Sequence, residues 1–311
     1  MDIMLPINVV LPLCIYLALG VYFNRSGRMS DATADEMNRL FYRFFFSINM
    51  FNSIYRTDLS EAVNVRFLVS IVACVVVVTV LVIVLGKCFV KDNAQRGSIS
   101  QGIVRANSIL FAVPVAAALC GEQNTGLATM SVAIVVPIYN VVCVVMLETM
   151  CRGNLRILRT IKSIFLNPII IGAVAGLAAR LLHIQLPAML LGVTGTISSL
   201  VTPMALMLLG ARLKFSDTHK YIKQLTWVSI SKLVLVPALF VGVMLIQGMG
   251  RVEVATALAM GAVPTAVSSY QLARELGGDG PLAAQIVAVT SLLSVFTLFF
   301  WVLGLSLVGV I

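Results

Sequence analysis

The 311-residue chain is 59% hydrophobic and 11% charged, with a mean hydropathy of +1.01; soluble domains carry about 25% charged residues. That balance excludes a soluble enzyme. It also removes nucleic acid as the explanation of the net charge of +9, because the Lys and Arg residues sit in short connections between apolar segments, as in cytoplasmic loops of membrane proteins.

The chain therefore reads as an all-α polytopic membrane protein whose first partner is the lipid bilayer. Six cysteines, at 14, 74, 88, 120, 143 and 151, show no paired spacing, and the two histidines, His183 and His219, form no ligand cluster. No disulfide framework, metal site or cofactor is expected.

Residues 3–24 carry no charge and no basic residue precedes them, which argues against a cleavable signal. The first basic residue, Arg25, follows the segment and places the N-terminus outside. A spanning helix needs about 20 mostly apolar residues. Ten segments meet or approach that requirement: 4–23, 40–55, 67–86, 104–120, 126–147, 163–182, 190–211, 225–248, 254–273 and 282–309. The second is short and holds Arg43, Asn49 and Asn52. Its place rests on the loop charges. Connections after odd-numbered segments hold 16 Lys and Arg, and those after even-numbered segments hold 4. Removing the second span would put every later loop on the other side of the membrane. The expected location is a cell membrane, plasma or inner, crossed ten times with both termini outside.

Ten spans divide into two halves, 1–150 and 151–311, and an odd number per half gives them opposite orientations. Two strings recur across that division. Ala112-Val113-Pro114 returns as Ala262-Val263-Pro264, and Pro12 with Gly20 returns as Pro168 with Gly176. Both point to an inverted repeat. A proline inside a helix removes a backbone hydrogen bond, and in hydrocarbon the freed groups must face protein, a wet cavity or a ligand. The spacing predicts that segments 4 and 9 break near mid-depth, with Pro114 and Pro264 each starting a second half-helix. Two half-helix N-termini meeting there would favour an anion, most simply a carboxylate.

Polar residues flank the expected breaks. Asn107 and Ser108 precede the first, and Thr265, Ser268, Ser269, Tyr270 and Gln271 follow the second. Asn49, Asn52 and Asn140 are further candidates. Plain alternatives stand beside each: hydroxyls in membrane helices bond to their own backbone, and asparagines join neighbouring helices. Deep ionisable residues would mark coupling to protons or cations. Glu148, Arg105, Arg274 and Glu275 fall at expected cytoplasmic helix ends, and Arg43 and Lys232 one or two turns inside that face. Coupling to H⁺ or Na⁺ is therefore unresolved, and quaternary state, a homodimer included, is open.

Asn107-Ser-Ile-Leu-Phe-Ala-Val-Pro114 resembles the Asn-x6-Pro stretch in the fourth helix of the auxin efflux carrier family. Pro264, Ala273-Arg-Glu-Leu-Gly277, Ala283-Ala-Gln-Ile-Val and Thr290-Ser-Leu-Leu-Ser294 are similar to its ninth and tenth helices; Asn167-Pro168 with Gly176 and Pro203-Met-Ala-Leu with Gly210 are similar to its sixth and seventh. The resemblance implies two inverted five-helix repeats, helices 4 and 9 broken where they cross, and organic anions such as malate, malonate or auxin as substrates. It carries the substrate-contacting asparagine onto Asn107 and the crossover prolines onto Pro114 and Pro264. Two departures are Ser47-Ile-Asn-Met in place of the usual proline of the second segment, and a short connection at 148–162 that favours a bacterial-type member.

Three other readings compete with an organic-anion carrier. A sodium-coupled carrier of the bile-acid type would need acidic ligands beside the breaks, where the sequence offers Gln285 and the Ser/Thr set. An intramembrane aspartyl protease is suggested by Gly277-Gly-Asp-Gly280. The Gly-x-Gly-Asp pattern it needs is broken by Leu276, and no second membrane Asp exists. A sensor without transport is the third.

Overall fold

The computed structural model describes residues 4–56, 64–121, 124–151, 166, 168–212 and 219–311. Most of the 148–162 connection, Glu122 and Asn167 lie outside them. In chain order the helices are α1 (Met4–Arg25), α2 (Asp31–Leu40), α3 (Phe46–Tyr55), α4 (Val65–Phe89), α5 (Asn93–Val104), α6 (Ser108–Cys120) and α7 (Gly126–Cys151). There follow α8 (Pro168–Leu181), α9 (Ala188–Arg212), α10 (Ile222–Ile230), α11 (Val236–Ile246), α12 (Arg251–Gly261), α13 (Ser268–Glu275) and α14 (Gly280–Leu307). Among the described residues, five stretches are long and apolar enough to cross a membrane: Val65–Phe89, Gly126–Cys151, Ala188–Ala211, Ile222–Ile246 and Gly280–Leu307. Large apolar side chains such as Val69, Val80, Val84, Phe296 and Phe300 are exposed along α4 and α14, as expected of surfaces solvated by lipid.

Among the described residues, two π-helical turns join helices into longer rods. Phe41–Phe45 links α2 to α3, so the second apolar segment begins at Asp31, where Ser30 Oγ accepts from the N–H of Thr33. Ser231–Leu235 links α10 to α11. Pro237 lies one residue into α11. It has no N–H to offer the carbonyl four residues back, and that carbonyl, on Leu233, accepts instead from Trp301 Nε1 at 3.0 Å.

Both predicted breaks occur, in shifted positions. The first separates α5 from α6 at residues 105–107, and position 114 lies inside α6 rather than at its start. The second spans residues 262–267, so α13 starts at Ser268 rather than at Pro264. The reason is that the two breaks satisfy each other. Asn107 N–H donates to Pro264 O at 2.8 Å and Ala266 N–H to Arg105 O at 3.1 Å, an antiparallel bridge between Ala106 and Thr265. Backbone groups released from both helices are thereby paired without water.

The helices pack as two groups. In one, α1 lies along α9 and α3 along α8, and α9 also contacts α3. Close approach in both pairs requires glycine: a Cβ on Gly20 would run into the Met207 carbonyl, one on Gly210 into that of Leu17, and ones on Gly172 and Gly176 into those of Ser47 and Phe51. Small residues are what let membrane helices approach so closely. The other group holds α4–α7 and α10–α14 around a core that includes Leu147, Val228, Leu258, Met260 and Ile286. Polar ties cross between the groups at one end: Arg274 pairs with Asp35 at 2.5 Å, and Asn38 Nδ2 donates to Glu275 Oε1 at 3.4 Å.

Candidate functional site

A cavity of about 130 Å³ opens where the paired breaks face the first helix group. Arg105, Ala106, Asn107 and Ser108 line it from the first break, and Ala266, Val267 and Ser268 from the second. Tyr139 and Asn140 of α7 form another wall. The opposite side comes from Phe46, Asn49 and Met50 of α3 and Ser198, Val201 and Ala205 of α9. The cavity thus lies between the two groups, and relative movement of the groups would change its shape.

Arg105 supplies the charge. Leaving the α5 helix at Val104 turns its side chain inward, where it is only 4% exposed. Its guanidinium sits 5.4 Å from the Phe46 ring centroid and donates to Asn140 Oδ1. Asn140 Nδ2 in turn donates to Met50 Sδ. A guanidinium held over an aromatic face and bonded to an amide keeps donors in a fixed fork, the geometry that suits a carboxylate. Beside it, Asn107 Nδ2 and Ser108 Oγ are buried without a hydrogen-bond partner among the described residues. Asn107 is also the residue before α6 and makes no side-chain cap. The N-termini of α6 and α13, with their partial positive charge, both open at this cavity.

Five of the sequence-predicted residues therefore meet here: Asn49, Asn107, Ser108, Asn140 and Ser268. Pro264, Thr265, Ser269, Tyr270 and Gln271 are not among the cavity's lining residues, although Ser269 Oγ and Gln271 Oε1 are buried without a hydrogen-bond partner among the described residues. Pro264 gives its carbonyl to the bridge, and Thr265 Oγ1 donates to Gly102 O at 2.7 Å. The Ser269 carbonyl accepts from Gln101 Nε2, Tyr270 Oη accepts from Arg274, and Gln271 Nε2 donates to Ala205 O. Each step along α13 rotates the side chain by about 100°; Ser268 lines the cavity while Gln271 reaches α9. Asn52, 7% exposed, accepts from Thr194 between α3 and α9, a packing contact. Pro114 lies within α6.

Sequence reasoning missed Arg105. Hydropathy starts the fourth segment at 104 and leaves Arg105 at its margin, whereas α5 begins at Asn93. The available signal was Asp92, whose carboxylate accepts from the N–H of Gln95 at 2.7 Å and so caps a 12-residue helix that ends at Val104. The polar first half of the span, with Ser98, Ser100 and Gln101, is buried against protein rather than lipid. Asp279, the residue that invited a protease comparison, holds the fold together instead. It caps α14 by accepting from Leu282 N–H at 3.0 Å and accepts from Tyr221 Oη at 3.2 Å.

Comparison with known proteins agrees with a transport role. A curated protein of Rhizobium meliloti (strain 1021) named "Putative malonate transporter" is 23% identical over 256 residues, covering 79% of each chain. The family model described as "Membrane transport protein" matches residues 6–302. Family and composition together make this a multi-pass membrane protein with a small-molecule cargo, and not an enzyme. The chain belongs to the membrane transport protein family, that of the auxin efflux carriers.

Proposed function

We propose that the protein is a secondary active carrier of small organic anions, with carboxylates such as malonate, malate or auxin-like acids as its substrate class. The observation that carries this reading is Arg105: a buried guanidinium, placed at the joined helix breaks, lining a cavity between two helix groups. A carboxylate would take the guanidinium and the unpartnered Asn107 and Ser108 groups, aided by two helix N-termini. Malonate enters as a candidate from the name of the relative.

Transport would proceed by alternating access, one helix group moving against the other around the cavity. An inverted repeat of two five-helix halves supports that mechanism. Exchanging the halves turns the α1–α9 contact into the α8–α3 contact, the α4–α5 contact into α11–α12, and α6–α7 into α13–α14. Gly20 and Gly176, the equivalent glycines of the Pro-x7-Gly strings, make the same kind of backbone contact in the first of these pairs. Both termini would then lie outside a plasma or inner membrane.

A thermal-shift screen of purified protein against mono- and dicarboxylates, with and without sodium, tests the reading. A carboxylate at 100 times its Kd should stabilise the protein by about 2.7 kcal/mol, independently of sodium. No shift with any carboxylate overturns the assignment, and a shift that requires sodium favours a bile-acid-type symporter instead.

A further inference from the structure

Lys232 lies in the π-helical turn Ser231–Leu235 of the rod formed by α10 and α11. It is ten residues beyond Ile222, about 15 Å along the helix, half the roughly 30 Å hydrocarbon core. Hydropathy places it near the cytoplasmic face; the helix starts earlier and carries it deeper. Its side chain is 0% exposed, and Nζ has no hydrogen-bond partner among the described residues.

The charged and titratable groups around it are few. The π-turn packs against α5 and α14. α14 carries no titratable side chain, and α5 carries only Arg96, whose guanidinium turns back to the carbonyls of Val90 and Lys91. Its own rod adds only the exposed Lys223. From α7, Cys143 lies within electrostatic reach of both Lys232 and Arg105. Tyr139 stands one turn before Cys143, and Glu148, five residues after it, is the sole carboxylate of α7. One turn before Lys232, Val228 packs against Gly102, whose carbonyl is held by Thr265 of the second break. Lys232 thus sits one helical turn from a residue that packs against the crossing.

An ammonium enclosed in apolar surroundings with no acceptor costs several kcal/mol. Negative charge arriving at Arg105 would offset that cost. We propose that Lys232 is a proton-binding site coupled to the anion cavity, taking one proton from solvent as an anion binds and returning it when the anion leaves. The protein is then a proton–anion cotransporter. Coupling of this kind is reciprocal, so a protonated Lys232 tightens anion binding as much as the anion favours the proton. This inference rests on the anion-carrier reading above.

Isothermal titration calorimetry of the full chain in detergent with malonate, in buffers of different ionisation enthalpy, counts the protons. Wild type should take up about one proton per malonate, and its affinity should fall up to about tenfold per pH unit as pH rises through the uptake range. Lys232→Met should bind malonate more weakly, with uptake near zero and a flat pH profile. Lys232→Arg, charged throughout, should show no uptake and wild-type affinity or better. Wild-type binding without proton uptake, or undiminished uptake by Lys232→Met, overturns the proposal. Absence of any wild-type binding heat overturns the anion reading, and this one with it.

Discussion

Replacing Arg105 by Met is the most informative single change. Methionine keeps much of the side-chain bulk and its contact with the Phe46 ring while removing the charge. In the unliganded protein the change has two opposed effects. Asn140 Oδ1 loses the donor it takes from Arg105, a cost of about 1–3 kcal/mol for a buried acceptor left unpaired. Against that, a guanidinium that is 4% exposed no longer has to be held away from water, a relief of similar or greater size. The fold should therefore survive, with a melting temperature close to wild type. Anion binding should not. Truncating one partner of a buried, hydrogen-bonded charge pair costs about 2–5 kcal/mol, equivalent to roughly 30- to 5,000-fold in Kd. Calorimetric titration of malonate into wild type, Arg105→Met and Arg105→Lys gives the comparison. Arg105→Lys should be intermediate, because it restores charge without the planar fork. A folded Arg105→Met protein that binds within about threefold of wild type refutes the assignment of Arg105 as the counter-charge.

Three further outcomes follow from the geometry. Asn107→Ala removes an unpartnered Nδ2 from the cavity wall but leaves the backbone bridge to Pro264 intact; substrate binding should weaken by about 1–2 kcal/mol with expression unchanged, as read by binding to purified protein. Trp301→Phe strips the donor from the Leu233 carbonyl, left open by Pro237; thermal unfolding should show a loss of about 1–3 kcal/mol while anion affinity stays near wild type. In a cysteine-free background, cysteines introduced at Asn124 and Lys220 should label from outside and inside respectively with a membrane-impermeant thiol reagent; labelling from one side breaks the ten-span topology.

How far the sequence could be read differs between fold and site. Apolar length and loop charge located helix in each segment, because bilayer thickness and the positive-inside bias act on local composition. Residues 93–103 escaped because hydropathy is blind to polar helix that protein, rather than lipid or water, surrounds; residues 31–39 escaped because α2 is a polar helix with only Ala34 and Asn38 buried. Asn107, Ser108, Asn140, Asn49 and Ser268 were legible as candidates because amides and hydroxyls are costly in hydrocarbon without partners. The separation of Ser268 from Thr265, Ser269, Tyr270 and Gln271 was not, since all five lie at the second break within seven residues of one another.

The sequence by itself determined that this is a polytopic helical membrane protein, that two of its spans are interrupted, and that polar groups gather beside the interruptions. Tertiary structure decided where the chain leaves the helix. Proline marks one break, at Pro264, yet Pro114 sits within a helix, because the position of each break is fixed by hydrogen bonds to the other, Asn107 to Pro264 and Ala266 to Arg105. Those bonds join residues some 160 positions apart in the chain, beyond the reach of local propensity. The same pairing carries Arg105 from an apparent helix end into the cavity, where its charge gives the site a sign.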